Sequence, residues 1–404
     1  MLTTIQYRNP SGQRCAMSVR SRSRAIARAF TLVDLAAIIV VVFLLLALLF
    51  PAVSHARQLA RIATCETLLA HFGVQMQVYA NDNSDGIPGV NTTGIVARAK
   101  NGIPGAMNPN NVPVQSFDWM TPLLQDDPNL PNNRAARFHY LLSQYRCPSQ
   151  NATATLFGLG FDQADFLQYS SWPACSYLMP TYFSLWGQSF AGTVLGYYEA
   201  NPAIAIRARV VPTTWEVRND GFQAQIPQVG PPERKVFVAD GTRYVEDDGS
   251  TELDVNPDPI FFGAFSSGGA WYNSSSEYGV KGGSLDWDGR PVSPGSPSQG
   301  QNLIPSYRHG LRMPASPQTR PPTPTPRDGL PLVGPELDGD DIHPINDGSA
   351  QGNIGCMNAV FFDGHVEQFH DRPSRAIDFW YPAGSVVQET QAGMTAVPTG
   401  TIIP

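Results

Sequence analysis

The chain has 404 residues, a formal net charge of −7, 42% apolar residues and only 15% charged ones, a length that suffices for one large or two ordinary domains. Glycine and proline number 36 each, about 18% of the chain against an ordinary ~12%, which excludes a plain helical bundle and favours turns, short strands and irregular connections. Six arginines and no acid fall in residues 1–29, so that removing them from the formal −7 leaves about −13 on the rest; an acidic body repels phosphate backbones, which excludes a nucleic-acid partner.

The basic start (Arg8, Arg14, Arg20, Arg22, Arg24 and Arg28) is followed by residues 35–53, nineteen positions without a charge or a hydrogen-bonding side chain, fourteen of them Leu, Ile, Val or Phe. A helix of that length spans ~29 Å, the thickness of a hydrocarbon core, and insertion of those side chains is worth on the order of 4–8 kcal/mol. Ser54 to Arg61 reads as helix continuing, without the small-x-small site that follows a signal peptide's shorter core. Residues 30–53 therefore read as a transmembrane helix, with residues 1–29 in the cytoplasm by the positive-inside rule and everything after about Ser54 outside. Asp34 lies inside the apolar boundary, where a carboxylate is costly and calls for a partner.

The junction Ala29-Phe30-Thr31-Leu32-Val33-Asp34 resembles the leader junction of type IV pilins and type II secretion pseudopilins. That resemblance implies cleavage between Ala29 and Phe30 by a prepilin peptidase and methylation of the new Phe30 amine. It further implies assembly in which Asp34, fifth in the mature chain, pairs with a neighbouring subunit's terminal ammonium, and a helix-kinking role for Pro51. Ala29 stands where the family usually has Gly, and Asp34 where it has Glu. A start at Met17 would shorten the leader to thirteen residues.

Beyond Pro51, apolar residues recur at Ile62, Cys65, Leu69, Phe72, Met76 and Tyr79, with Arg57, Arg61, Glu66 and Gln77 opposite them. Steps of three and four predict an amphipathic helix that buries this stripe, Cys65 included. Asn81-Asp82-Asn83-Ser84-Asp85-Gly86-Ile87-Pro88 ends it. Cys65, Leu68, Tyr79, Asp82 and Pro88 resemble the corresponding stretch of a large planctomycete-type pilin-like group, as does Cys147-Pro148-Ser149. Lys235 to Val245 predicts a hairpin turning at Asp240-Gly241, and Asn358 to Phe369 a second turning at Asp363-Gly364 and packing on the helix stripe. Residues 259–262 and 270–272 are further strand candidates. The Asp363-Gly364-His365 tail resembles that of the same group, separated here from Arg308-His309-Gly310 by a Pro-rich insertion over 311–355 that reads as exposed loop.

Chemistry-bearing residues are sparse. Gly187-Gln188-Ser189-Phe190-Ala191 resembles a nucleophile elbow but lacks its strand-to-helix context. His365 and Glu367 share a strand face that His370 leaves, which argues against a three-ligand metal site. Asn81, Asn83 and Asp85 have the oxygen spacing that opens a calcium loop without its closing bidentate Glu, and Asp247, Asp248, Glu252 and Asp254 form a second acidic cluster; calcium is the one candidate cofactor. Cys147 with Cys175 is the favoured disulfide pair in an oxidising compartment, with Cys65 and Cys356 then either pairing between helix and C-terminal hairpin or staying free and buried.

The expected fold is α+β and pilin-like, a long N-terminal transmembrane helix packed on an antiparallel β-sheet head with large loop insertions. Its parts are a basic leader (1–29), the helix (30–82), an extracytoplasmic head (83–310), the insertion (311–355) and a C-terminal hairpin and tail (356–404). The expected function is that of a pilin- or pseudopilin-like structural subunit, not an enzyme, single-pass in a bacterial inner membrane, whose partners are the prepilin peptidase, other subunits and the membrane. The alternative is a membrane-anchored extracytoplasmic binding protein that does not assemble.

Overall fold

The structure is a computed structural model that describes residues 5–8, 14–17, 32–100, 103, 105–150, 153–213, 215, 217–241, 251–259, 263–267, 357–369, 377–388 and 399–404. The chain divides into two units, Met1–Ala56 and Arg57–Pro404.

In the first unit, strands β1 (Ile5–Arg8) and β2 (Arg14–Met17) pair antiparallel, Ile5 opposite Met17 and Arg8 opposite Arg14. Helix α1 begins at Leu32 and runs to Asp82, 51 residues, with Asp34 in its first turn, where an acid complements the positive end of the helix dipole. Between Leu32 and Phe50 the sequence has neither Gly nor Pro, and Leu and Ala supply good helix propensity. The helix continues through Pro51. Among the described residues no helix is long and apolar enough to cross a membrane, which overturns the transmembrane helix expected over 30–53. The uncharged run is one part of a longer mixed helix that goes on into Arg57, Arg61 and Glu66. Counting only the residues between charges treated that part as an independent span.

In the second unit, the remainder of α1 supplies the packing stripe as expected. Cys65, Leu69, Phe72, Met76 and Tyr79 are buried, while Ile62 is half-buried and Arg57 and Arg61 are exposed. The helix stops where Asn83 and Asp85 donate backbone N–H groups to the Tyr79 and Ala80 carbonyls at 2.9 and 2.8 Å, with Ser84 and Asp85 at φ 55° and 61°. This left-handed cap is one that Asn and Asp tolerate better than other side chains.

Short helices follow: α2 (Ile95–Ala99), α3 (Met120–Leu123), α4 (Arg134–Gln144) and α5 (Gln163–Phe166). Of these α4 is the longest, and Asn133 caps it by accepting the Ala136 amide at 2.9 Å, satisfying a donor that the helix leaves open.

The strands are β3 (Thr153–Phe157), β4 (Trp172–Pro173), β5 (Tyr177–Pro180), β6 (Val194–Tyr198), β7 (Asn201–Arg207), β8 (Val217–Arg218), β9 (Val236–Asp240), β10 (Thr251–Asp254), β11 (Ser266–Ser267), β12 (Met357–Phe361), β13 (Val366–Phe369) and β14 (Val386–Val387). The largest sheet has the order β11-β5-β9-β12-β13. A three-stranded sheet, β10-β3-β4, and the pairs β6-β7 and β14-β8 complete the unit.

The single antiparallel head sheet is thus corrected to a mixed α/β arrangement of several small sheets, in which β10 runs parallel to β3 and β11 parallel to β5. Proline and glycine between short apolar runs break the chain into pieces too short to extend one sheet, and a parallel pair joins segments distant in sequence.

The hairpin at Asp363-Gly364 forms as read: β12 and β13 pair from Met357 opposite Phe369 to Val360 opposite Val366, and Gly364 takes φ 91° in the turn. At Asp240-Gly241 the outcome differs. β9 lies between β5 and β12, antiparallel to both, and the second half of the expected hairpin, from residue 242, is outside the described residues. So are the strand candidates at 260–262 and 270–272 and the Pro-rich insertion.

All residues of β5, β9 and β12 are buried, because the sheet is covered on both faces and alternation disappears. Toward α1, Phe72 meets Tyr177 and Trp119 edge-on at 5.8 and 5.0 Å, and Trp119 meets Phe237 at 5.7 Å. On the other face Phe361 packs on Phe379 at 5.6 Å. The helix meets the tail hairpin at Gln77, whose side-chain amide donates to the Phe362 carbonyl at 2.5 Å, and at Gly73, where an added Cβ would lie 2.9 Å from the Val360 side chain and 3.1 Å from the Gly364 backbone.

Candidate functional site

The feature that calls for an explanation is the surface of the first part of α1. Every described side chain from Leu32 to Ala47 is exposed, among them Leu32 at 84%, Phe43 at 67% and, further on, Phe50 at 75%. These residues surround the helix on all sides. A helix apolar all round is ordinarily buried, and an apolar surface this continuous marks a place where something else binds. Asp34 is exposed one turn into it. Pro51 lies on the helix backbone; its side chain, Ala29 and Phe30 are outside the described residues, so the processing junction is not placed. What the apolar surface can do is dock.

The other residues singled out from sequence separate. Cys65, on α1, is bridged to Cys147, just past α4, with Cα atoms 5.5 Å apart. This replaces both expected pairings, Cys147 with Cys175 and Cys65 with Cys356, because Tyr145, just past α4, lies against His71 and Phe72 of α1 and brings Cys147 to Cys65. The Cys175 thiol is buried and donates to the Tyr177 carbonyl at 3.2 Å. Cys356 is outside the described residues.

In the proposed calcium turn, the Asn83 side-chain amide donates to the Tyr79 carbonyl at 2.8 Å, so it caps the helix it follows. Asn81 and Asp85 are exposed in the same turn. Asp247 and Asp248 are outside the described residues, and Asp254 is buried and accepts the Asn256 amide at 2.9 Å.

Ser189 sits in a short 3₁₀ turn, Gln188–Phe190, and its oxygen accepts the Gly221 amide at 3.0 Å; among the described residues no histidine bonds it. His365 is brought to Asp363, Nδ1 to Oδ1 at 2.6 Å, and its ring stacks on Phe361 at 4.2 Å. His370 is outside the described residues, so the structure does not join it to this pair.

Sequence reasoning missed the buried charges that hold the head loops. Arg137, fully buried on α4, donates to five carbonyls, those of Met107, Asn108, Val112, Pro131 and Asn132, at 2.5 to 3.0 Å. One turn earlier Arg134 pairs with Asp162 at 2.7 Å and lies 4.9 Å over the Phe166 ring. Burial pushes Arg137 down to about 10 despite the nearby Asp118. Burial also raises Asp118, against the bonds it accepts from Thr121 and Val114.

Lys235, immediately before β9, is buried and donates to the Asp378 carbonyl and to the main-chain oxygen of Pro404 at 2.8 and 2.6 Å. Loss of hydration holds it down near 8, against the pull of Asp378. Arginines at i and i+3 on a short helix read as a solvent face; the five carbonyls arrive from loops that no local pattern predicts.

Comparison of the chain with family models, with curated proteins and with solved structures finds no match.

Proposed function

We propose that this chain is a structural subunit of an extracytoplasmic filament of the type IV pilus or type II secretion kind, assembling through the first part of α1. The observation that carries this reading is the apolar surface that surrounds the helix from Leu32 onward. Another copy of the chain offers the same surface, so helix packs on helix with side-chain ridges in grooves. Head-to-tail contacts between identical subunits propagate into an open filament when the rotation between copies does not close a ring.

Asp34 deepens the reading. In an assembled bundle the amine freed by cutting before Phe30 in each neighbouring copy is a charge partner of opposite sign for the Asp34 carboxylate. The Cys65–Cys147 bridge supports an oxidising compartment for the head.

The test is to co-express the full chain with a prepilin peptidase, read the mature N-terminus by mass spectrometry and look for filaments by negative-stain microscopy. A terminal Phe30 bearing one methyl group, together with filaments that Asp34→Ala abolishes, is the expected result. An uncut leader, or filaments that form equally with Asp34→Ala, overturns the assembly mechanism. A processed chain that stays monodisperse favours the second reading, a head that binds a ligand without assembling.

A further inference from the structure

The sulfurs of Cys65 and Cys147 and a carboxylate oxygen of Asp240 all lie within 4.8 Å of one another, and all three residues are completely buried. They come from three different elements: α1, the turn after α4 and the end of β9. In the oxidised chain the two sulfurs are bonded to each other.

We propose that in the reduced chain Cys65, Cys147 and Asp240 form a buried site for a thiophilic divalent cation of the zinc class, so that the same two sulfurs hold the core by a disulfide or by a metal. The donor set suits such a cation: two thiolates and one carboxylate are three of the four ligands of a tetrahedral site. The surroundings suit it too. Asn358 donates its backbone N–H to Asp240 Oδ2 at 2.8 Å and fixes the carboxylate, and the Tyr177 hydroxyl lies 3.2 Å from Cys65 Sγ. With that sulfur a thiolate, the hydroxyl is the donor, an outer contact of the kind that orients and tunes metal ligands. Tyr177 stands opposite Asp240 in the β5–β9 register, so one strand pair positions both groups.

The exchange balances with a dithiol reductant. Two electrons and two protons pass to the Cys65–Cys147 bond, which breaks to two thiols while the reductant closes to its own disulfide. The cation then displaces both thiol protons to solvent and binds the thiolates with the Asp240 carboxylate. Reoxidation by a disulfide oxidant, which takes up the two electrons and is itself cleaved to two thiolates, re-forms the Cys65–Cys147 bond and releases the cation.

Cobalt(II) is the probe, titrated into the full-length protein with and without prior reduction. The reduced protein is expected to bind one cobalt per chain with near-ultraviolet thiolate-to-cobalt absorption, and the oxidised protein none. Asp240→Asn retains the shape and the acceptor for Asn358, and in the reduced state should lose at least about tenfold in affinity. Equal affinity of that variant, or no thiolate–cobalt band in the reduced wild type, overturns the proposal. Should reduction alone unfold the head, zinc is expected to restore its circular dichroism, because metal binding then supplies folding free energy. A failure to restore it likewise refutes the site.

Discussion

The two stretches of α1 share one backbone, yet their apolar side chains meet opposite fates. From Cys65 to Tyr79 the apolar residues fall on a single stripe and are buried, Phe72 completely. From Leu32 to Val53 they surround the helix, and those described are exposed. What separates the two is the distribution of polar side chains. Where Arg61, Glu66 and Gln77 mark out a wet face, the remaining face is defined and one sheet covers it. Where no polar residue interrupts the surface, no single face exists and only several neighbours can cover it.

The comparison breaks most visibly at Phe72. Phe72→Ala removes a ring wedged against Trp119 and Tyr177 and is expected to cost about 3–5 kcal/mol of head stability, by cavity formation; urea unfolding followed by tryptophan fluorescence measures it. An unchanged midpoint would mean that the stripe does not hold the head.

The buried lysine tests how dry that core is. Folding holds Lys235 near 8, below its ordinary 10.5, so the unfolded chain binds the proton more tightly. The contribution of this group is therefore fully present above about 10.5, falls as pH drops toward 8 and is flat below that, a span of about 3 kcal/mol. Stability of the wild type should rise over this window relative to Lys235→Met, measured by chemical unfolding at several pH values. Parallel curves would show that Lys235 is hydrated in the folded state.

Gly73 sharpens the contact between helix and tail. Gly73→Leu forces a side chain into the space held by Val360 and the Gly364 backbone and should cost about 1–3 kcal/mol by overpacking, read as a lowered Tm. The smallest effect belongs to the other stretch. Phe43, 67% exposed, can be changed to Ala with less than about 0.5 kcal/mol of change in head stability, while sedimentation velocity shows weaker self-association. A loss as large as that at Phe72 would mean that Phe43 is packed within its own chain.

Much of the framework was legible from local pattern. The stripe from Cys65 to Tyr79, the helix stop at Asn81 to Pro88 and the hairpin turning at Asp363-Gly364 each follow from the spacing of neighbouring residues. The hairpin expected at Asp240-Gly241 shows where such reasoning stops. The Asp-Gly pair favours a turn, but β9 takes its partners from β5 and β12, and those partners are chosen by burial on both sheet faces. The transmembrane helix was misread for a related reason: hydropathy scored a run of residues, whereas the structural element is the whole helix from Leu32 to Asp82.

Sequence alone determined that a long helix carries a buried stripe, that glycine and proline cut the rest into short strands, and that cysteines sit where bridges can form. Only the tertiary structure decided which cysteines meet, which strands run parallel, and that Arg137 gathers five carbonyls from three loop stretches. Periodicity and turn chemistry act between residues a few positions apart. Those other choices are made by surfaces and polar groups that become neighbours only once distant segments are packed together, each buried donor having to find its acceptor there.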